Sequence, residues 1–175
     1  MRAVYPGSFN PPTVGHIAIV NSAIRRFSIS EIHLAISKVA LGKEKLAVPS
    51  VADRIEILEK SLSQFPEASV LETRKQLIAD IAEGYDLVIL GADKWVQLQD
   101  LSFYRDQVHM AQCLRRLPKL AVAPRNDIKV PQEILLTVPE EINSVSSSQV
   151  REGKFEWMTK EAYEIGKNRG FWGIN

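Results

Sequence analysis

The chain has 175 residues, and its hydrophobic fraction of 45% is typical of a globular protein long enough to bury a core. With 22 basic and 21 acidic residues its net charge is +1, so no global charge excess attracts nucleic acid or a membrane surface. The single cysteine, Cys113, excludes an internal disulfide framework, and without a long apolar run or a signal-peptide pattern we expect a cytoplasmic protein that binds neither nucleic acid nor membrane.

Short apolar segments at regular intervals predict the β-strands. They span residues 2–5, 31–37, 68–72, 86–90 and 120–123. Two of them contain the unbroken apolar runs LVIL and LAVA, which are typical of parallel strands covered on both faces. A further segment, ILLTV at 134–138, is a weak strand candidate inside a looser connection.

Between and after the strands, apolar residues recur at helical intervals. The pattern predicts helices over 17–27, over 51–65 behind a capping signal at Ser50 and Asp53, over 74–83, and over 161–170. Strands that alternate with helices form right-handed βαβ units. The sequence therefore predicts an α/β fold, a Rossmann-like doubly wound parallel five-stranded sheet with helices on both faces, in one domain over residues 1–175.

The stretch PGSFNPPTVGH, residues 6–16, forms the turn between the first strand and the first helix. Gly7 and Gly15 give permissive backbone there, and Thr13 and His16 stand where the helix begins. A helix N-terminus presents free N–H groups and a partial positive charge, and in a parallel sheet this turn lies at the carboxyl edge, where ligands bind. A lone histidine here is more often a local cap, but the whole set favours a phosphate site.

A second stretch, VSSSQVR at 145–151, also combines phosphate-binding groups. Its serines supply caps and exposed N–H groups at the start of a short helix, and Arg151 supplies a fork of donors that suits a phosphate. Taken alone, the stretch is more typical of a capped surface helix with a solvated arginine than of a phosphate site.

Together these stretches resemble the two signatures of the nucleotidyltransferase α/β-phosphodiesterase superfamily. GSFNPPTVGH is similar to the [HT]-x-G-H signature, with Thr13 and His16 at its key positions, and VSSSQVR is similar to the ISST-x-[IV]-R signature. GADK at 91–94 is similar to the G-[AS]-D motif of nicotinate or nicotinamide mononucleotide adenylyltransferases, and LPKLAVAPR at 117–125 to the strand and arginine that follow in those enzymes. The resemblance covers nearly the whole chain.

The resemblance implies transfer of AMP from ATP to the phosphate of a small acceptor, by in-line attack and without a covalent enzyme intermediate. It implies Mg²⁺ on the triphosphate, with protein metal ligands left unassigned. The catalytic residues would be His16, Thr13 and Lys45. ATP and its phosphates would be bound by Gly7, Ser8, Phe9, Gly15, His16, Gly91, Asp93, Ser147, Ser148 and Arg151.

The acceptor is the part of the function that the motifs leave open. GADKW favours nicotinate or nicotinamide mononucleotide, with Trp95 and Lys43 at the acceptor, although the basic loop that contains Lys38, Lys43 and Lys45 lacks the P-P-H of those enzymes. The opening motif equally resembles pantetheine-phosphate adenylyltransferase. A cytidylyltransferase of the same superfamily and an inactive nucleotide-binding regulator are further alternatives. The terminal FWGIN either packs on the body of the protein or contributes to a homo-oligomer.

Overall fold

A computed structural model of the chain describes residues 1–38, 49–125 and 128–174. Its centre is a five-stranded sheet in the order β3-β2-β1-β4-β5. Every neighbouring pair is parallel, which confirms the predicted Rossmann-like doubly wound fold. The strands are β1 (Arg2–Pro6), β2 (Glu31–Ser37), β3 (Ala68–Thr73), β4 (Leu87–Gly91) and β5 (Lys119–Ala123).

Helices cover both faces of this sheet. They are α1 (Val14–Phe27), α2 (Val51–Ser61), α3 (Ile78–Ile81), α4 (Ala92–Leu98), α5 (Gln107–Arg115), α6 (Ser147–Arg151) and α7 (Lys160–Arg169). Alternating strand residues point to opposite faces, so one side of the sheet packs on α1 and α2 and the other on α3, α4 and α5. Both sides are therefore buried, which explains the unbroken apolar runs.

Two predicted helices are shorter than their patterns indicated. The helix predicted over 51–65 begins as expected, with Ser50 and Asp53 in a capping box, but it ends at Ser61. The helix predicted over 74–83 is reduced to Ile78–Ile81. Thr73 explains the late start of this helix, because its hydroxyl accepts the Lys75 N–H at 3.1 Å and turns the chain directly after β3.

The segment predicted as a weak strand at 134–138 extends the sheet by one bridge. Leu135 forms an isolated parallel bridge with Val122 of β5. The Val122 N–H donates to the Ile134 carbonyl at 2.7 Å, and the Leu136 N–H donates back to the Val122 carbonyl at 2.8 Å. This contact covers the outer edge of β5 and leads the chain back toward the carboxyl edge of the sheet.

The C-terminal segment packs on the body of the protein, as one of the two alternatives for FWGIN predicted. Phe171 and Ile174 join a third apolar cluster with α2, α6 and α7. A Cβ atom on Gly166 would lie 2.8 Å from the Trp172 ring, so the helix and the segment touch at a glycine. The Trp172 indole N–H donates to Oδ1 of Asn10 at 2.7 Å, which connects the end of the chain to the turn after β1.

We predict that Trp172→Phe lowers the free energy of unfolding. The substitution keeps an aromatic ring but leaves the buried Oδ1 of Asn10 without its donor, and such a loss typically costs about 1–3 kcal/mol. Trp157→Phe is the matched control, because the Trp157 ring packs on the same cluster and has no hydrogen bond to the turn among the described contacts. Urea unfolding followed by circular dichroism measures both, and equal losses would show that the indole bond contributes nothing.

Candidate active site

The loop after β1 has its carbonyl groups fixed by donors from other elements. Nη1 of Arg54, from α2, donates to the Ser8 carbonyl at 2.9 Å. In a trans peptide the N–H points away from the carbonyl, so the Phe9 N–H is directed away from Arg54. Phe9 has a φ of +43°, and its ring packs edge to face on His16 with centroids 5.0 Å apart.

The same pattern continues through the next residues of the loop. Each of the following carbonyls accepts a bond from a distant part of the chain: Asn10 from Nη1 of Arg151, Pro11 from the Ser147 hydroxyl at 2.7 Å, and Pro12 from the Thr159 N–H at 3.3 Å. The two signature stretches are thus bonded directly to each other. The loop is held from outside by its carbonyls. Of these four peptide groups only the one between Ser8 and Phe9 directs an N–H to the other side of the loop, because Pro11 and Pro12 have no N–H and the Thr13 N–H donates to His16.

Thr13 and His16 form a reciprocal capping box at the start of α1. The His16 N–H donates to the Thr13 hydroxyl at 3.3 Å, and the Thr13 N–H donates to Nδ1 of His16 at 3.0 Å. A backbone N–H is always a donor, so Nδ1 must be the unprotonated nitrogen of a neutral ring. The proton of His16 is therefore on Nε2, where it can be donated to a ligand.

The surroundings of His16 keep its ring neutral. Burial, and secondly the positive charge of Arg125, lower the pKa of His16 to about 4. Burial also raises the pKa of the Tyr5 phenol, which lines the same site. At neutral pH His16 is thus a neutral hydrogen-bond donor.

All residues predicted to contact ATP and its phosphates, together with Thr13, line one cleft, here called the polar cleft. It lies at the carboxyl ends of β1, β4 and β5. The members from the first strand turn, from the start of α4 and from α6 are Gly7, Ser8, Phe9, Thr13, Gly15, His16, Gly91, Asp93, Ser147, Ser148 and Arg151. The structure therefore brings together three sequence stretches that are far apart in the chain.

Several side chains of the second signature, residues 145–151, form hydrogen bonds within the protein. Ser146, rather than Ser147, caps α6 by accepting the Gln149 N–H at 3.1 Å. The Ser147 hydroxyl is bonded to the first loop, and Arg151 donates to the Ser148 hydroxyl at 3.1 Å. Arg151 thus lines the cleft while one of its nitrogens holds the loop carbonyl of Asn10.

Arg125 and Arg54 are site residues to which the sequence analysis assigned no role. Arg125 follows β5 after one residue, Pro124, and it pairs with Asp93 at 2.9 Å and donates to the Val145 carbonyl at 3.1 Å. Its position after an apolar strand could have identified it as a site residue from the sequence. Arg54 lies on α2, and only the folded chain shows that it reaches under the Ser8 carbonyl.

A second depression, here called the apolar cleft, adjoins the polar cleft. It lies between the ends of β1 and β2 on one side and α3 and α4 on the other. Its walls are largely apolar and aromatic, and its described lining residues include Ala35, Leu77, Ile78, Ile81, Leu98, Phe103 and Tyr104.

Of the two predicted acceptor residues, Trp95 and Lys43, the structure describes Trp95. Residues 94, 97 and 98 face the apolar cleft, and helical spacing turns Trp95 of α4 about 100° away from Lys94. Trp95 is absent from the described lining of both clefts, and its stacking on the acceptor stays a prediction. Lys43, like the predicted catalytic Lys45, lies outside the described residues.

Comparison with known families decides the class of this site. The family model described as "Cytidylyltransferase-like" matches residues 4–153. The chain belongs to the cytidylyltransferase-like family. It is a nucleotidyltransferase, as the two signatures predicted.

Individual relatives carry two different names. The chain is 29% identical to a probable nicotinate-nucleotide adenylyltransferase of Sulfurimonas denitrificans over 163 residues, which are 86% of this chain and 83% of that protein. It is 27% identical to a phosphopantetheine adenylyltransferase of Thermotoga neapolitana over 168 residues, 92% of this chain and 91% of that protein. A Plasmodium falciparum nicotinic acid mononucleotide adenylyltransferase complexed with NaAD shares the fold, with a TM-score of 0.70 at 15% identity over 99% of this chain and 98% of that one.

The described residues contain no helix that is long and apolar enough to cross a bilayer.

We predict that His16 titrates far below an ordinary histidine and carries its proton on Nε2. Long-range ¹H–¹⁵N spectra across pH 3–8 would show one ring that stays neutral down to about pH 4, with unprotonated Nδ1. His33→Gln and His109→Gln assign the remaining two signals. A His16 signal that changes between pH 6 and 7, or a proton on Nδ1, would contradict the capping geometry.

Proposed function

We propose that the chain moves AMP from ATP to the phosphate of a mononucleotide, nicotinate or nicotinamide mononucleotide, and releases pyrophosphate. The observation that carries the proposal is the pair of clefts. One is lined by phosphate-binding groups and the other by apolar and aromatic side chains, and they share the loop residues Pro6, Gly7 and Ser8. Two phosphates bound from the two sides would meet at this loop.

In this proposal the polar cleft binds ATP. The α-phosphate would contact the Phe9 N–H and Nε2–H of His16, and the β- and γ-phosphates would lie near Ser147, Ser148 and Arg151. Direct attack on phosphorus requires no protein nucleophile, so the protein contributes position and stabilises charge. A neutral imidazole N–H aimed at the α-phosphate stabilises the charge that develops there in the transition state.

We propose that Mg²⁺ enters with the triphosphate as part of the substrate. The groups in the polar cleft are mainly N–H, hydroxyl and guanidinium donors, which suit phosphate oxygens rather than a cation. Asp93 is the one carboxylate among the described lining residues, and Arg125 is paired with it. The cation would then be bound chiefly by phosphate oxygens and water, and it would neutralise charge on the triphosphate.

The apolar cleft would bind the body of the acceptor. Phe103 and Tyr104 provide aromatic surface for a flat pyridine ring, and the Tyr104 hydroxyl is held by donating to the Leu98 carbonyl at 2.9 Å. Gln76 and Ser37 supply polar groups at its wall. These rigid aromatic surfaces suit a ring better than a long flexible arm. The names of the nicotinate-nucleotide relatives support the same acceptor.

We propose that residues 1–175 work as one nucleotidyltransferase domain in the cytoplasm. Lys45 would assist at the phosphates and Lys43 at the acceptor, as the resemblance implies.

We predict that nicotinate or nicotinamide mononucleotide gives a kcat/KM at least tenfold above that of phosphopantetheine with ATP and Mg²⁺. Pyrophosphate release measures all three acceptors, and an arm with CTP in place of ATP tests the cytidylyltransferase alternative. A tenfold preference for phosphopantetheine would overturn the acceptor assignment. Binding of ATP without turnover on any acceptor would favour the inactive regulator.

A further inference from the structure

One polar group of the polar cleft has no role in the function described so far. Tyr5 lies on β1, the central strand of the sheet, one residue before the strand ends at Pro6. The residue is only 5% exposed, and it belongs to the apolar cluster that packs on α1. Tyr5 also lines the polar cleft. It is therefore a core residue with one end at the candidate active site.

The hydroxyl group of Tyr5 is the part that reaches the cleft. Among the described residues, none forms a hydrogen bond with this hydroxyl. Its oxygen nevertheless differs from the fully enclosed side-chain atoms that lack a partner, which are Nδ2 of Asn10, Nε of Arg54 and Oδ1 of Asn143. A buried tyrosine hydroxyl usually finds its partner inside the protein. At the wall of a cleft, a hydroxyl without such a partner indicates that the partner belongs to the ligand.

Aromatic neighbours hold Tyr5 beside His16. The Tyr5 ring packs edge to face on the Phe9 ring with centroids 5.3 Å apart, and the centroids of the Tyr5 and His16 rings are 6.2 Å apart. Burial dominates the pKa of both polar groups, raising that of the phenol and lowering that of the imidazole, and the positive charge of Arg125 lowers both. The phenol, the imidazole and the guanidinium therefore surround one part of the polar cleft.

These neighbours determine what kind of atom the hydroxyl can bind. Nε2–H of His16 and the guanidinium of Arg125 are both donors, so a ligand group that fits between them must carry acceptor oxygens. A phosphate group carries such oxygens. Because burial raises the pKa of Tyr5, the phenol keeps its proton at neutral pH and donates without adding charge. A hydrogen bond from a neutral donor to a charged phosphate oxygen is stronger than one between two neutral groups.

We propose that the Tyr5 hydroxyl binds the α-phosphate of ATP, as a second side-chain donor beside Nε2–H of His16. This inference rests on the proposed function, in which the α-phosphate contacts His16 and the Phe9 N–H. The hydroxyl is carried by a ring that is packed in the core on a central strand, so its position is fixed before ATP arrives. A donor that is fixed in advance needs no reorganisation when the phosphate binds.

The test is Tyr5→Phe, which removes the hydroxyl and keeps the ring that packs on Phe9. Loss of a hydrogen bond to a charged group typically costs a factor of about 10 or more, so we expect kcat/KM for ATP to fall by about that factor. Tyr163→Phe is the matched control, because Tyr163 is an exposed residue of α7 that lines neither cleft, and it should change nothing. The midpoint of urea unfolding should be unchanged in both variants, since neither hydroxyl is bonded within the described part of the protein.

Calorimetry distinguishes an α-phosphate contact from a contact elsewhere on the nucleotide. AMP carries that phosphate and adenosine lacks it. Tyr5→Phe should therefore weaken the binding of ATP and of AMP by a similar factor of about 10, and leave the affinity for adenosine within about threefold of wild type. An equal loss for adenosine would place the hydroxyl at the ribose or the base, and a loss for ATP alone would place it at the β- and γ-phosphates. Either result, or a kcat/KM within threefold of wild type, would overturn the inference.

Failure of the proposed function has a separate signature. If the wild-type protein adenylylates only phosphopantetheine, the mononucleotide assignment fails, and Tyr5→Phe must still lower kcat/KM, because every acceptor attacks the same α-phosphate. If the protein uses CTP, the same comparison is made with CTP, CMP and cytidine. If no acceptor is turned over, the wild-type preference for AMP over adenosine must still decrease in Tyr5→Phe. An unchanged preference would overturn the role of Tyr5 independently of the acceptor.

Discussion

Fixation of the loop carbonyls after β1 is the interaction on which the rest of the site depends. A loop that binds phosphate must present N–H groups, and it can do so only where the carbonyls are satisfied elsewhere. Arg54 fixes the Ser8 carbonyl of this loop. The burial of Arg54 is costly, because it lowers the pKa of the guanidinium and leaves Nε without a hydrogen-bond partner among the described residues. A buried cation beneath the loop adds positive potential at the place where we propose that the α-phosphate binds.

The same constraint explains why the end of the chain matters for a site at its beginning. Arg151 and Ser147 reach the loop from α6, and Trp172 reaches Asn10 from the C-terminal segment. These elements pack on α2 through a third apolar cluster, beyond the two clusters that cover the sheet. The sheet alone therefore gives the place of the site, and the C-terminal elements give the loop its shape.

Local signals in the sequence were sufficient for the fold and for the cap of α2. The apolar runs predicted the strands, and the S-x-x-D spacing predicted the start of α2, because such a cap depends on neighbours within one turn of helix. The capping box of Thr13 and His16, which starts α1 at Val14, was not predicted. Contacts between distant residues were not predictable in this way. Arg54 under Ser8 is one example, and the face of α4 is another, since only the packing of that helix shows that Lys94 rather than Trp95 faces the clefts.

The central claim is that the loop and a neutral His16 act on the transition state at the α-phosphate. It is tested most directly by the turnover of His16→Ala with saturating acceptor, measured together with its calorimetric affinity for ATP. The account predicts a fall in kcat of about 100-fold or more with ATP affinity within a few-fold of wild type, because the Nε2–H bond strengthens as charge develops. Near-normal turnover, or a loss that lies entirely in ATP affinity, would contradict it.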